Sequence, residues 1–353
     1  MKNSCEAIVF QAKNSVTHGQ FALEACGADE IVVKTAYTMV SPGTELRVLG
    51  GHYGAEGNYP LIPGYCVVGQ VVEVGREVKG WRVGDWVTGR NPKAIAGIKS
   101  QWGGQASMHL YRTSGEDRPV LLPKGAEPRD YAIAEVAAIS LRGIEAARPV
   151  VGETAVVIGQ GMIGAFSAAW LVSRGCRVCV VDLEESRLER ALNFGVAAAF
   201  SACDVHIAER VGVFCNNGAD IVVEASGVIP GVELAYKLVR RKPQAYGTQY
   251  VKEPIGFYHG DWPRIVMQAN YIDKITLNPF GFVPGEAAII ASPFDRGVED
   301  RQAAVEAIRT KRIDPAHFID LVAPYKQAAE AYASLRERTR FSAIFDWSGA
   351  HHA

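Results

Sequence analysis

The sequence predicts an α/β protein in which a β-rich opening third precedes a doubly wound parallel sheet. Three observations predict it. Short alternating apolar runs punctuated by Gly and Pro fill the first third. From about Arg129 the pattern changes to helices alternating with strands. An apolar strand ending at Ile158 then runs directly into a glycine-rich turn and an apolar helix, the opening of a βαβ unit.

Taken in order, residues 30–36 are rich in β-branched side chains, and 69–75 alternate cleanly between apolar and polar. Residues 84–89 and 106–111 follow the same logic. Residues 131–147 are Ala-rich and free of Pro and Gly until Gly143, which predicts a helix. Strands over 155–158 and 177–181 alternate with helices over 162–173 and 185–194, the second closed by Gly195. A strand over 220–224 ends at Ala225, Ser226 and Gly227, a helix covers 231–239, and 245–250 leads into another strand. Such alternation specifies parallel strands with right-handed crossovers. After Ser292 come helices over 298–309 and 326–336 and a last strand over 342–347.

With 353 residues the chain is long enough for two domains. Its 48% hydrophobic and 21% charged content is that of a globular protein, and the net charge of −1 leaves no basic footprint for nucleic acid or a membrane surface. No apolar run is long enough to span a bilayer, and the opening residues lack the apolar core of a secretory signal. The seven cysteines are scattered and odd in number. Cys176 and Cys179 have redox or zinc half-site spacing, but they fall on a predicted core strand and are read as buried core. A cytoplasmic location is expected.

Gly159, Gly161 and Gly164 follow a strand, open a helix and precede a second strand that ends in Asp182. That context makes the spacing a dinucleotide-binding turn. Gly159 makes the tight turn, Gly161 lets a pyrophosphate approach the backbone, and Gly164 lets the helix pack on the sheet. The loop from Gly159 through Gln160, Gly161, Met162 and Ile163 to Gly164 would cradle the phosphates at the helix N-terminus. Asp182 would accept the adenosine ribose hydroxyls and repel a 2′-phosphate. Leu183, Glu184 and Glu185 follow, and no cation appears before Arg187. NAD is therefore the expected cofactor, with Arg187 at the edge of its site.

The whole chain resembles the medium-chain dehydrogenase/reductase superfamily of the zinc alcohol dehydrogenase type. The motifs that carry the resemblance are 63–75, 83–87, 103–106, 156–164 and 224–227. The resemblance implies a GroES-like catalytic domain from residues 1–137 and 296–353, with an NAD-binding Rossmann domain, 138–295, inserted. It also implies that Ala225, Ser226, Gly247 and Thr248 line the NAD site, and that the chain pairs into a homodimer, or a tetramer, through the coenzyme domains.

The departures from the family are informative. Pro42 stands where the family's catalytic zinc has a Cys ligand, and Tyr65 where it has a His. The third ligand would fall near Val136 to Ala138, which offers neither, and residues 89–108 lack the cysteines of the structural zinc lobe. Cys66 and Glu45 remain as ligand types, and two residues do not make a zinc site. No metal is expected. A hydrogen-bond donor or proton shuttle is then needed at the reacting oxygen. Thr44 matches the family's hydroxyl beside that oxygen. Tyr65 either points its phenol into the former metal space or merely fills it. Glu45 either orients or deprotonates a neighbour, or pairs with an Arg. His52, with Tyr53, lies on the Gly-rich loop that covers the cleft in the family, either exposed or catalytic. Tyr258, His259 and Trp262 are further substrate-contact candidates. They sit in a connection longer than usual, read as an elaborated interface or as a substrate-lining insert.

These readings favour a zinc-independent, NAD-dependent oxidoreductase that interconverts a secondary alcohol and a ketone, with a polyol, cyclitol or sugar derivative as its small-molecule substrate. The alternatives are an enone or quinone reductase, which usually prefers NADPH, and a non-catalytic NAD(H)-binding protein. The stretch Ser41 to Glu45 is also similar to that of bacteriochlorophyllide dehydrogenases, which leaves a large aromatic substrate open.

Overall fold

A computed structural model describes residues 4–240, 263–272, 274–275, 288–291 and 297–351. Gly247, Thr248, Tyr258, His259 and Trp262 lie outside the described residues. The chain divides into two compact units, Met1–Ala138 with Arg296–Ala353, and Ile139–Asp295.

The first unit opens with β1 (Ser4–Ala12), β2 (Ser15–Ala22) and β3 (Glu30–Met39), then α1 (Pro42–Leu49). There follow β4 (Leu61–Ile62), β5 (Cys66–Val74), β6 (Trp86–Gly89), β7 (Lys99–Ser100), β8 (Met108–Arg112) and β9 (Val120–Leu121). The predicted helix over 131–147 is split. Its first turn is a 3-10 segment, Pro128–Ile133, and α2 (Ala134–Ala147) follows.

In the second unit β10 (Thr154–Ile158), α3 (Met162–Ser173), β11 (Arg177–Asp182) and α4 (Glu185–Leu192) fall where the periodicity puts them. The segments β12 (Ala198–Ser201) and α5 (Ile207–Phe214) carry too weak a pattern to be read in advance. β13 (Ile221–Glu224), α6 (Ile229–Leu238), β14 (Arg264–Met267) and β15 (Ala288–Ala291) complete the unit. The chain then returns through α7 (Val298–Arg309), β16 (Leu321–Pro324), α8 (Ala328–Arg336) and β17 (Ala343–Asp346).

Among the described residues the second unit holds a six-stranded sheet in the order β12-β11-β10-β13-β14-β15, every pair parallel. This is the 3-2-1-4-5-6 order of a dinucleotide-binding fold, with its reversal at β10. Burial on both faces explains the unbroken apolar run of β10 and β11, and Cys179 is fully buried there with Val178, Val180 and Val181. The first unit holds a sheet in the order β16-β17-β3-β5-β6-β9, with β8 also paired to β3, and a smaller sheet, β2-β1-β4-β7. The pairing of β17 with β3 closes the returning segment onto the opening third. One core binds the same segments, through Phe10, Val48, Tyr332, Phe345 and Trp347. No described helix is long and apolar enough to cross a membrane.

Candidate active site

In the second unit the glycine turn behaves as its spacing requires. Gly159 has φ of 85°, and a Cβ there would lie 2.7 Å from Ser226 Cα. A Cβ on Gly164 would lie 1.8 Å from the Gly159 carbonyl oxygen, so α3 packs at a distance only glycine permits. Gly161 differs, because a Cβ there would meet nothing within 4 Å. Its freedom from a side chain serves no internal packing and leaves an open approach to the backbone. Gly161 is also the N-cap of α3 and supplies no side-chain cap, so the first-turn N–H groups of Met162, Ile163 and Gly164 have no capping side chain from it. Those features fit a phosphate.

Asp182 ends β11 and is 7% exposed. Its Oδ2 accepts from the Gln160 N–H at 2.5 Å and its Oδ1 from the Glu184 N–H at 2.9 Å. An ionised carboxylate has about four acceptor positions, so lone pairs remain for ribose hydroxyls. Arg187 Nη1 lies 3.8 Å from Asp182 Oδ2, closer to the acid than its place in the sequence suggested. The buried Gln160 donates through Nε2 to the Gly159 carbonyl at 3.2 Å, stiffening the turn. Ala225 and Ser226 lie directly beside the glycine turn, since the missing Cβ atoms of Gly164 and Gly159 face them.

In the first unit the structure brings Thr44 and Tyr65 together. Ser41 caps α1, and Pro42 follows at the first helical position, where its missing N–H costs nothing. The sequence pattern gives no helix here, because the stretch 42–49 is short and begins with Pro42 and Gly43. The helix sets Thr44 half-buried on its first turn, with Glu45 fully buried behind it. Tyr65 precedes β5, and its phenol donates to Ser41 Oγ at 2.6 Å and lies 3.5 Å from Thr44 Oγ1. The Trp102 ring meets Tyr65 edge-on at 5.4 Å, and Tyr53 meets Trp102 at 6.3 Å. Burial is the main reason that the Tyr65 phenol is held well above the ordinary range, so it stays protonated. The group is therefore a compact set of three hydroxyls against an aromatic wall. Ser41 was missed as a member. Its position at a helix N-cap immediately before Pro was the available signal.

Both carboxylate oxygens of Glu45 are engaged by buried donors. Its Oε1 accepts from the Ser41 N–H at 2.7 Å, a reach back to the N-cap that resembles a capping box. Its Oε2 accepts from Gln105 Nε2 at 3.1 Å and from the Tyr332 hydroxyl at 2.5 Å. Gln105 in turn accepts from Thr38 at 2.5 Å, and Thr38 accepts from the Trp347 indole at 2.8 Å. Desolvation pushes the Glu45 carboxyl up to about 7 against the pull of those donors. Glu45 is thus the hub of a buried network that fixes α1 against α8, with no Arg among these bonds. His52 is exposed on its loop.

Glu45 and Cys66 are the metal-ligand residue types in the two stretches that correspond to the family's zinc positions. Both Glu45 oxygens are taken by donors. Burial raises the Cys66 thiol well above its usual range, which opposes the thiolate a metal needs. No three of His, Cys, Asp and Glu converge among the described residues.

Comparison with known proteins agrees with this architecture. Residues 27–118 match the alcohol dehydrogenase GroES-like domain, and residues 163–255 match the zinc-binding dehydrogenase family. The chain is 30% identical to a sorbitol dehydrogenase of Halalkalibacterium halodurans over 237 residues, 62% of this chain and 68% of that protein. It is 25% identical to a 2-dehydro-3-deoxy-L-galactonate 5-dehydrogenase of Pseudoalteromonas atlantica over 325 residues, 87% of this chain and 88% of that one. An Escherichia coli CFT073 protein solved with NADH, described as a short chain alcohol dehydrogenase, superposes with a TM-score of 0.80 at 17% identity, covering 98% of this chain and 99% of its own. The chain belongs to the medium-chain dehydrogenase/reductase superfamily, as an oxidoreductase of the zinc-binding dehydrogenase family built from a GroES-like part and a Rossmann-like parallel sheet.

Proposed function

We propose that the protein is a zinc-independent, NAD-dependent dehydrogenase that interconverts a secondary alcohol and a ketone on a polyol or sugar-like substrate. The observation that carries this reading is the set Ser41, Thr44 and Tyr65, three hydroxyls in one hydrogen-bonded group where the family has a metal ligand. An alcohol that becomes a ketone loses a hydride and a hydroxyl proton. A bound nicotinamide supplies the hydride acceptor or donor. The proton needs a hydroxyl beside the reacting oxygen, and Thr44, half-buried and within reach of Tyr65, suits that place. Ser41 holds the Tyr65 phenol, and Glu45 holds Ser41 through its backbone. His52 is exposed and stands in this reading as a loop residue rather than a catalytic one.

A hydroxylated substrate is supported by the hydroxyl set and by the relationship to a sorbitol dehydrogenase. NAD over NADP is supported by Asp182, whose carboxylate opposes a 2′-phosphate, although Arg187 stands nearby. A homodimer through the Rossmann units is part of the same reading. Among the described residues β15 ends their sheet, leaving an edge for a second copy. Light scattering that finds a monomer at working concentration removes that part alone.

One panel tests the core of the proposal. Polyols, cyclitols, sugars and enones are offered with NAD(H) and NADP(H), and reduced-nicotinamide absorbance is followed. The expected result is alcohol oxidation with NAD, which binds at least about tenfold more tightly than NADP. Turnover should survive a strong chelator, with well under one zinc per chain by elemental analysis. Stoichiometric zinc lost together with activity overturns the metal-free mechanism. Activity confined to enones overturns the alcohol assignment.

A further inference from the structure

The loop at the end of β13 is held by a residue pair that the chemistry above does not use. Glu224 is fully buried at the last position of the strand. Its Oε1 accepts from the Ser226 N–H at 2.8 Å, from the Ser226 hydroxyl, and from the Gly227 N–H at 3.3 Å. Its Oε2 accepts from the Tyr271 hydroxyl. The carboxylate thus folds the loop back onto its own strand end, and Tyr271 pins the carboxylate from the far side. Space is tight, because a Cβ on Gly231 would lie 2.6 Å from Glu224 Oε1 and 2.1 Å from Ser226 Oγ.

Sheet order says what this loop faces. A dinucleotide crosses the strand ends at the point where strand order reverses, here β10. Asp182, the candidate ribose acid, ends β11 on one side of β10. The other half of the ligand then runs over the opposite neighbour, β13, and the loop held by Glu224.

Building on the NAD reading above, we infer that Glu224 and Tyr271 are positioning residues: they clamp the loop 225–227 in the shape that receives the nicotinamide half of the dinucleotide. Tyr271 supports the inference in a second way. Burial and the adjacent carboxylate hold its phenol above the ordinary range, so it remains a donor across the working pH range. The long connection in which it lies also supplies β14 and β15 of the sheet.

The test compares two ligands. NAD engages both halves of the site, and AMP only the adenosine half. Calorimetry measures both against wild type, Tyr271→Phe and Glu224→Gln, with thermal melting as a check on folding. Tyr271→Phe removes only the donor, so it carries the test even where Glu224→Gln fails to fold. The clamp predicts that NAD binding weakens about tenfold while AMP binding stays within about twofold. Wild type that binds NAD, with Tyr271→Phe unchanged toward it, overturns the clamp and leaves the NAD reading intact. Parallel loss of NAD and AMP affinity also overturns it, because a general loosening of the unit acts on both halves. Wild type that binds neither ligand sinks the NAD reading and the clamp together.

Discussion

The nucleotide turn and the hydroxyl set are made of different materials. The turn is built almost entirely from backbone. Its glycines permit a positive φ at Gly159, a close helix at Gly164 and open space at Gly161, while the helix N-terminus contributes main-chain donors. The hydroxyl set is built from side chains of separate segments. Ser41 comes from the N-cap of α1, Thr44 from its first turn and Tyr65 from the approach to β5, while the Glu45 network behind them adds Gln105, Tyr332 and Trp347. A backbone site fails by steric intrusion. A side-chain site fails by loss of single atoms and responds to pH. The two should therefore respond to different kinds of substitution.

The largest expected effect is on chemistry. Thr44→Val keeps the shape and removes the hydroxyl, and loss of one positioned proton-transfer group costs about 10²–10⁴-fold. It should lower kcat and kcat/KM together, since the contact strengthens only in the transition state. Tyr65→Phe should act in the same direction and by less, since its closer bond is to Ser41 and its distance to Thr44 is 3.5 Å. Stopped-flow traces under saturating cofactor separate turnover from binding. Near-normal turnover in both variants moves the reacting oxygen away from this set.

The next effect sharpens the contrast within the backbone site. Gly164→Ala places a methyl 1.8 Å from the Gly159 backbone carbonyl oxygen, so the fold itself should suffer. Overpacking of this kind costs about 1–3 kcal/mol or more, visible in urea unfolding. Gly161→Ala meets nothing, so unfolding should be unchanged to within about 0.5 kcal/mol, as for a surface change. Its effect should appear only in NAD affinity, because the methyl enters the space left for phosphate. Equal stability losses in the two variants would erase the distinction between packing glycine and approach glycine.

These materials also explain what could be read from the chain. The nucleotide turn was legible because its parts are adjacent and each glycine answers a local requirement. So was the sheet around it, since fully buried parallel strands leave unbroken apolar runs. The segments β12 and α5 were not, being short and partly exposed. On the other side, Thr44 and Tyr65 could be singled out, but Ser41 could not be ranked above its neighbours. The donors to Glu45 include Gln105 and Tyr332, which are distant in sequence, so the chain alone does not single them out. Nor does position in a Gly-rich loop tell whether His52 faces the site or solvent.

The smallest effect isolates the side-chain network by pH. The folded Glu45 carboxyl is pushed up to about 7 from an ordinary 4.5, with desolvation the main cause. Below about 4.5 it is protonated whether the chain is folded or not. Between there and about 7 the unfolded chain has released the proton that the folded chain still holds, so folded stability falls as pH rises. Above about 7 both forms are ionised and the loss is complete. Glu45→Gln removes this titration while keeping an acceptor for the Ser41 N–H. The melting temperature of the variant relative to wild type should therefore climb between pH 5 and pH 8, by about 5 °C. Taking the difference cancels the other titrating groups, provided they behave alike in both proteins. A flat difference would mean that the three donors already hold the carboxylate ionised at pH 5. Glu45 would then be an ordinary charged acceptor, and the side-chain site would be no more sensitive to pH than the backbone one.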